Sequence, residues 1–256
     1  MTIRADVQDG VACIALARPE RKNAITVQMY ADMANALDAA AHDQNVRAIV
    51  LHGADTVFSA GNDIHDFLER PPSSENSSTV RFMNTLASQE KPVIAAVNGA
   101  AVGIGTTLLM HCDLVYCADD AMFSMPFVSL GLCPEFASSL LVPLAAGYHK
   151  AAEKLLLGEP ITAEEALEMG IVNRLVPPGE VLALAMRQAR RFRSLPPLAV
   201  RETKRLLKAG WRSAVHNAMT TELETFRRLL ASPESKEAFS AFLEKRTPDF
   251  SRVAGS

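Results

Sequence analysis

Pro92-Val-Ile-Ala-Ala-Val-Asn-Gly-Ala-Ala-Val-Gly-Ile-Gly-Thr-Thr107 carries a strand, a turn and the start of a helix in one short stretch. The run to Val97 is apolar and rich in β-branched residues, the pattern of a strand buried on two faces, and Asn98-Gly99 closes it. Small residues then turn the chain into a helix start, where backbone N–H groups at the positive helix end stand open to a ligand. Taken alone, such a turn serves equally as a phosphate cradle, a close-packing turn or an oxyanion site. It lacks the lysine of a P-loop, and its mid-chain position does not suit a first-strand dinucleotide fingerprint.

The same alternation extends in both directions from this stretch. Upstream, Val11-Ala-Cys-Ile-Ala-Leu16 reads as a strand ended by Arg18-Pro19, because proline cannot donate to a ladder. Thr26 opens a helix through His42, with Met29, Met33, Leu37 and Ala40 at helical spacing, and Arg47 to His52 is a further strand closed by Gly53. Downstream, a helical segment from Thr106 to His111 precedes strands at Leu114 to Cys117 and Met122 to Met125, the order of a layered α/β domain. From Ser138 onward strands are expected to disappear. Thr162-Ala-Glu-Glu165 is a capping box, Gly170 stops its helix, and Pro177-Pro178 and Pro196-Pro197 separate amphipathic helices, the last from Trp211 to Ala231 and from Ser235 to Lys245. Residues 1–195 thus form an expected α/β core and residues 196–256 a helical region. Pro71-Pro-Ser-Ser-Glu-Asn-Ser-Ser78 is too polar to bury and reads as a mobile surface loop, either a tolerated insertion or a flap near a site.

Bulk properties narrow the function. The 256-residue chain is 48% hydrophobic, enough for a substantial core without disulfide or metal support. Its net charge of −3 comes from 26 basic and 29 acidic side chains spread along the sequence, so no basic field draws in nucleic acid or an anionic membrane. Cys13, Cys112, Cys117 and Cys133 lie in apolar segments without metal-ligand spacing, the usage of reduced core thiols in a cytoplasmic protein. No signal segment or membrane-length apolar run is visible.

A second glycine turn, Phe58-Ser-Ala-Gly-Asn-Asp-Ile64, also follows a buried strand. Two such turns could aim two amides at one carbonyl oxygen, which is what reactions through a thioester enolate require; two unrelated tight turns is the plainer alternative. Together with Arg18-Pro-Glu-Arg-Lys-Asn-Ala24, Lys91 to Gly99, Val102-Gly-Ile-Gly105, Cys112-Asp113 and Glu164-Glu-Ala-Leu-Glu-Met-Gly-Ile-Val172, that turn resembles the signatures of the crotonase (enoyl-CoA hydratase/isomerase) superfamily, in order and over nearly the whole chain. The resemblance implies a crotonase-like spiral of ββα repeats with a carboxyl-terminal helical trimerisation region, hence a homotrimer or dimer of trimers. It implies an acyl-CoA thioester substrate, with coenzyme A entering as part of that substrate and neither metal nor separate cofactor. By position, the amides of Asn62 and Ile104 would form the oxyanion hole, and Lys22, Ala24, Ala60, Gly61, Asn62, Asp63, Ile64, Gly103 and Phe127 would line the substrate and its bent CoA. Ile104, being β-branched, must present its amide from right-handed backbone, which a helix start supplies.

Departures from the commonest pattern set the subclass. Hydratases of the family carry two glutamates where this chain has Thr107 and Phe127, and a hydroxyl with a phenyl ring cannot position and deprotonate water. One carboxylate remains in Gly131-Leu-Cys-Pro-Glu135. Here the chain is most similar to peroxisomal-type Δ3,Δ2-enoyl-CoA isomerases, in which a glutamate after proline is the base, and departs from them by Ile64 for leucine and Phe136 for glycine. The resemblance makes Glu135 the catalytic proton shuttle of fatty acyl-CoA isomerisation, in an apolar pocket expected to include Phe127 and Phe136; alternatively Glu135 merely begins a helix. Other superfamily chemistry and a non-catalytic acyl-CoA-binding role are the competing functions. His52 and His111 read as packed histidines, His65 and Asp66 as solvated or capping residues, and Asp113 as the organiser of its turn. Arg187, Arg190, Arg191 and Arg193 read as a solvated helix face or a rim for CoA phosphates, and Lys204 shares that ambiguity.

Overall fold

In the computed structural model, which describes residues 2–54, 56–71 and 77–252, the chain winds through successive strand-strand-helix turns. Strands β1 (Ile3–Gln8) and β2 (Val11–Leu16) are followed by α1 (Val27–His42); β3 (Ala48–Gly53) by α2 (Ile64–Glu69) and α3 (Ser78–Ala87); and β4 (Val93–Val97) with β5 (Ala100–Val102) by α4 (Ile104–Thr107). Next come β6 (Leu114–Ala118), β7 (Met122–Ser124), α5 (Ser138–Ala146) and α6 (Tyr148–Leu157), then β8 (Ile161–Thr162), α7 (Ala163–Glu168), β9 (Arg174–Val176) and α8 (Val181–Arg191). Three helices finish the fold: α9 (Pro197–Ala209), α10 (Arg212–Leu230) and α11 (Pro233–Glu244).

The strands sort into two sheets. One has the order β1-β2-β3-β4-β6-β9, parallel except for the β1-β2 hairpin; the other has the order β5-β7-β8. Single bridges at Ile25 to Asn62 and Ser59 to Ala101 extend the second layer, so each turn of the spiral gives one segment to either layer. All five residues of β4 are buried, as a strand covered on both faces requires, whereas β1 at the edge buries only Ile3. Helix α8 lies across β3, β4 and β6 with Val181, Leu184, Ala185 and Ala189 buried.

Two elements correct the sequence reading. Strands do not end at Ser138: β8 and β9, two and three residues long, complete the two sheets. Segments this short carry no period of their own and exist because a waiting sheet edge pairs with them. Of the polar loop after Pro71, residues 72–76 lie outside the described residues, and the Ser77 hydroxyl caps α3 by accepting from the Val80 amide at 3.4 Å. The capping box is present, with Thr162 Oγ1 accepting from the Glu165 amide and Glu165 from that of Thr162. Among the described residues no cluster of side chains gathers as metal ligands would, and no helix is long and apolar enough to cross a membrane.

The carboxyl-terminal helices pack on the core through specific contacts. Lys204 is buried and donates to the Lys91 carbonyl and to Asp113, which also accepts from the Val93 amide, so Asp113 anchors α9 as well as its own turn. Phe67 of α2 meets Phe226 of α10 edge-on and Phe239 of α11 at a 6.1 Å centroid distance. A Cβ on Gly131 would come within 2.9 Å of the Ser235 backbone, so only glycine lets α11 approach this loop.

Candidate active site

Two glycine turns meet at one point. Asn23 is fully buried, its amide donating to the carbonyls of Ala54 and Val57 while its Oδ1 accepts from the Arg18 amide, and this ties residues 18–24 to the end of β3. The Ser59 hydroxyl donates to the Asn23 carbonyl and accepts from the Gly61 amide at 3.1 Å. Ile25 donates to the Gly61 carbonyl and accepts from the Asp63 amide, so the Asn62 amide, between the two, has no acceptor among the described residues. The Tyr30 hydroxyl donates to Asn62 Oδ1 at 2.5 Å and fixes that side chain.

The second turn abuts the first. Ser59 pairs with β5, donating to Ala100 and accepting from Val102, and a Cβ on Gly61 would strike the Val102 carbonyl at 2.8 Å. Gly103 stands at φ +55°, ψ −120°, a conformation closed to other residues, and a Cβ there would meet nothing within 4 Å. Gly103 therefore takes up the turn's positive φ, which leaves Ile104 right-handed at the first position of α4. The amides of Thr106 and Thr107 already bond Gly103 O, while that of Ile104 is among the orphan donors of a helix start.

The carboxylate arrives from the other side. Glu135 Oε1 accepts from the Thr107 hydroxyl at 2.6 Å, so the residue at a hydratase-glutamate position holds the candidate acid. Burial pushes the Glu135 carboxyl up to about 8; the Thr107 hydrogen bond opposes this and the charge of Glu222 adds to it. The charge of Glu135 in turn raises the buried Tyr30 hydroxyl further above its ordinary range, a sign that Asn62, Tyr30 and Glu135 share one neighbourhood.

Phe136, at φ +60°, is fully buried, stacked on His111 at 3.8 Å and near Phe82, which in turn packs against Tyr30. The His111 ring bonds the Phe136 carbonyl through Nε2 at 2.8 Å, and burial lowers its proton affinity to about 3, so it is a neutral packing group. Phe127 is 8% exposed and belongs to the core.

The remaining candidates sort by partner. Arg18 bonds Asp63 at 2.7 Å and the Ala24 carbonyl, bracing the turn, while Lys22 is exposed at φ +50° with its carbonyl taking the Ala60 amide. Asp66 accepts from the Val27 amide and pairs with Arg70, His65 is exposed, and His52 bonds the Gly53 carbonyl. Arg190 and Arg193 pair with Asp9 and Arg191 with Gln188, the contacts of a solvated face. Three contributors escaped the sequence reading. Tyr30 sits among Met29 and Met33 on a helix face that reads as core, Asn23 lies in a charged loop, and Glu222 looks like any acidic residue on an amphipathic helix.

Residues 6–252 match the sequence model of the family described as Enoyl-CoA hydratase/isomerase. Enoyl-CoA delta isomerase 2 of Rattus norvegicus is 36% identical over 245 residues, 93% of this chain, which spans 62% of the length of that protein. The 2,3-dehydroadipyl-CoA hydratase of Escherichia coli is 32% identical over 244 residues, 95% of this chain and 96% of that one. The solved enoyl-CoA hydratase/isomerase of Pseudoalteromonas atlantica superposes with a TM-score of 0.93 at 38% identity, covering 98% of this chain and 100% of that chain.

Proposed function

The chain belongs to the enoyl-CoA hydratase/isomerase (crotonase) family, and within it we propose that the protein is a Δ3,Δ2-enoyl-CoA isomerase working through one carboxylate. The observation that carries this reading is the pairing of Thr107 with Glu135: one hydroxyl and one acid occupy the space beside the two turns, with Phe127 in the core. The 3-enoyl thioester would place its carbonyl oxygen against the amides of Asn62 and Ile104. Glu135 takes a proton from C2, the electron pair moves into the thioester, and the dienolate takes the same proton back at C4 as the double bond settles between C2 and C3. Amides fixed in place strengthen as charge grows on the oxygen, and one such donor supplies on the order of 10²–10³ in rate. Coenzyme A enters with the substrate along Lys22, Ala24 and Ala60 to Ile64.

A carboxyl pushed up to about 8 is mostly protonated at neutral pH, so the base form is the minor one and turnover rises with pH toward that value. Hydration of 2-enoyl thioesters is the runner-up, favoured by a relative with a hydratase name. It needs a second ionising group, and neither Thr107 nor Phe127 ionises. The family supports a homotrimer or dimer of trimers, and the free cysteines set in apolar surroundings support a reducing compartment such as the cytoplasm.

Purified protein and E135Q, each offered 3-enoyl-CoA and 2-enoyl-CoA with conjugated-thioester absorbance followed, test the reading. Conversion of the 3-enoyl substrate alone, lost in the variant, is expected. Fast water addition to the 2-enoyl substrate, or full isomerisation by E135Q, overturns it.

A further inference from the structure

Helix α5 opens on a residue that cannot cap it. Ala137 stands at φ +57° with no side-chain acceptor, directly after Phe136 at φ +60°. Two adjacent left-handed residues without a glycine are held only by surroundings that over-determine them. The acceptor comes from α10: Glu222 takes the Ala137 amide at 2.6 Å, the Ser139 amide at 2.9 Å and the Ser139 hydroxyl at 2.5 Å. The Glu135 carbonyl, at the other end of this turn, accepts from the Ser138 amide and hydroxyl. We propose that Glu222 is a positioning residue for the reaction, clasping the turn from 135 to 139 and setting both the pose of Glu135 and the charge that Glu135 faces. This rests on the reading of Glu135 as the proton shuttle.

A cap alone would not call for this residue. Glu222 is 6% exposed, and among the described residues no lysine, arginine or histidine pairs with it. Burying a carboxylate without a cation beside it is costly, which a neutral acceptor at the same place would avoid. Burial raises the Glu222 carboxyl above its ordinary range, the three donors from Ala137 and Ser139 oppose that rise, and in its ionised form Glu222 sets like charge beside Glu135, which makes Glu135 a stronger base. The other ionisable groups around the turn cannot supply it. Tyr30 from α1 keeps its proton, Cys133 on the same loop is pushed up to about 11, His111 below Phe136 is neutral, and Arg228 of α10 is exposed and screened.

The test titrates Glu135 itself. Infrared difference spectra against pH, with the Glu135 carboxyl band identified by its loss in E135Q, are recorded for wild type, E222Q and S139A beside kcat and KM on a 3-enoyl-CoA. In E222Q the midpoint of the Glu135 band is expected to fall by about half to one pH unit, with kcat down about tenfold and KM within about twofold. S139A, which removes one donor and leaves Glu222 protonated more often, moves the midpoint the same way by less, and decides the matter if E222Q does not fold. An unchanged midpoint in a folded variant overturns the proposal. Should wild type leave 3-enoyl-CoA untouched, the isomerase reading fails, while the midpoints still decide whether Glu222 governs Glu135.

Discussion

The two halves of the site are built in opposite ways. The amide half rests on backbone: sheet pairing, two glycines with positive φ and the buried Asn23 place the Asn62 and Ile104 N–H groups, all within a span of about eighty residues. The carboxyl half rests on side chains reaching across the fold: Thr107 from α4, His111 beneath Phe136 and Glu222 from α10 hold one strained turn. Backbone geometry tolerates most sequence change, whereas a turn held by three side chains changes with any of them. The second half is therefore the one that substitution alters most readily.

The largest expected effect removes the acid. E135Q should lower isomerisation of 3-enoyl-CoA by about 10³ with thioester affinity kept, read by absorbance and by calorimetric titration. The same substitution should stabilise the fold at high pH. Glu135 has a folded value of about 8 against an ordinary 4.5, so the native state holds its proton longer, and stability present below pH 4.5 is lost as pH rises through 8. E135Q is then expected to exceed wild type by several kcal/mol at pH 9 and to match it near pH 4.5, in paired denaturant curves.

Gly103→Ala probes the backbone half. Space is available for the methyl group, so the damage comes from φ and ψ, and kcat should fall by about 10² as the Ile104 amide swings off line. An unchanged kcat would remove Ile104 from the oxyanion role. T107V has a smaller effect and a diagnostic direction. Its hydrogen bond holds Glu135 down, so losing it should move the acidic limb of the kcat/KM profile upward by about one pH unit, opposite to E222Q. F136G comes last: kcat is expected within about threefold of wild type. Relief of the left-handed backbone offsets only part of the lost ring packing, leaving a net loss of about 2 kcal/mol in stability.

Legibility in the sequence follows the same divide. The layered α/β order and both glycine turns could be read because buried strands and glycine turns leave marks in a few adjacent residues, from Pro92 to Thr107 and from Phe58 to Ile64, whereas the spiral followed from the family resemblance. β1 escaped because only Ile3 of its six residues is buried, and β8 and β9 because their partners, not their own residues, define them. Glu135 could be named through family resemblance, but neither its bond to Thr107 nor its clasp could. Residues 137 and 222 are brought together only by the folding of α10 onto α5, and no local pattern encodes that contact. The stacking of Phe136 on His111 could not be read for a related reason: a sequence does not display the sign of φ at a phenylalanine.

The reach of Glu222 back to Ala137 also fixes an order of events in time. A ribosome delivers the chain from its amino end, and early segments begin to fold before later ones exist. Everything that supports the Asn62 and Ile104 amides has been synthesised once β7 is out, yet the turn beside Glu135 waits for α10 before it can close. A nascent chain stalled between the two would hold the Asn62 and Ile104 amides in place with the turn at Glu135 still open, so the two halves close at different times.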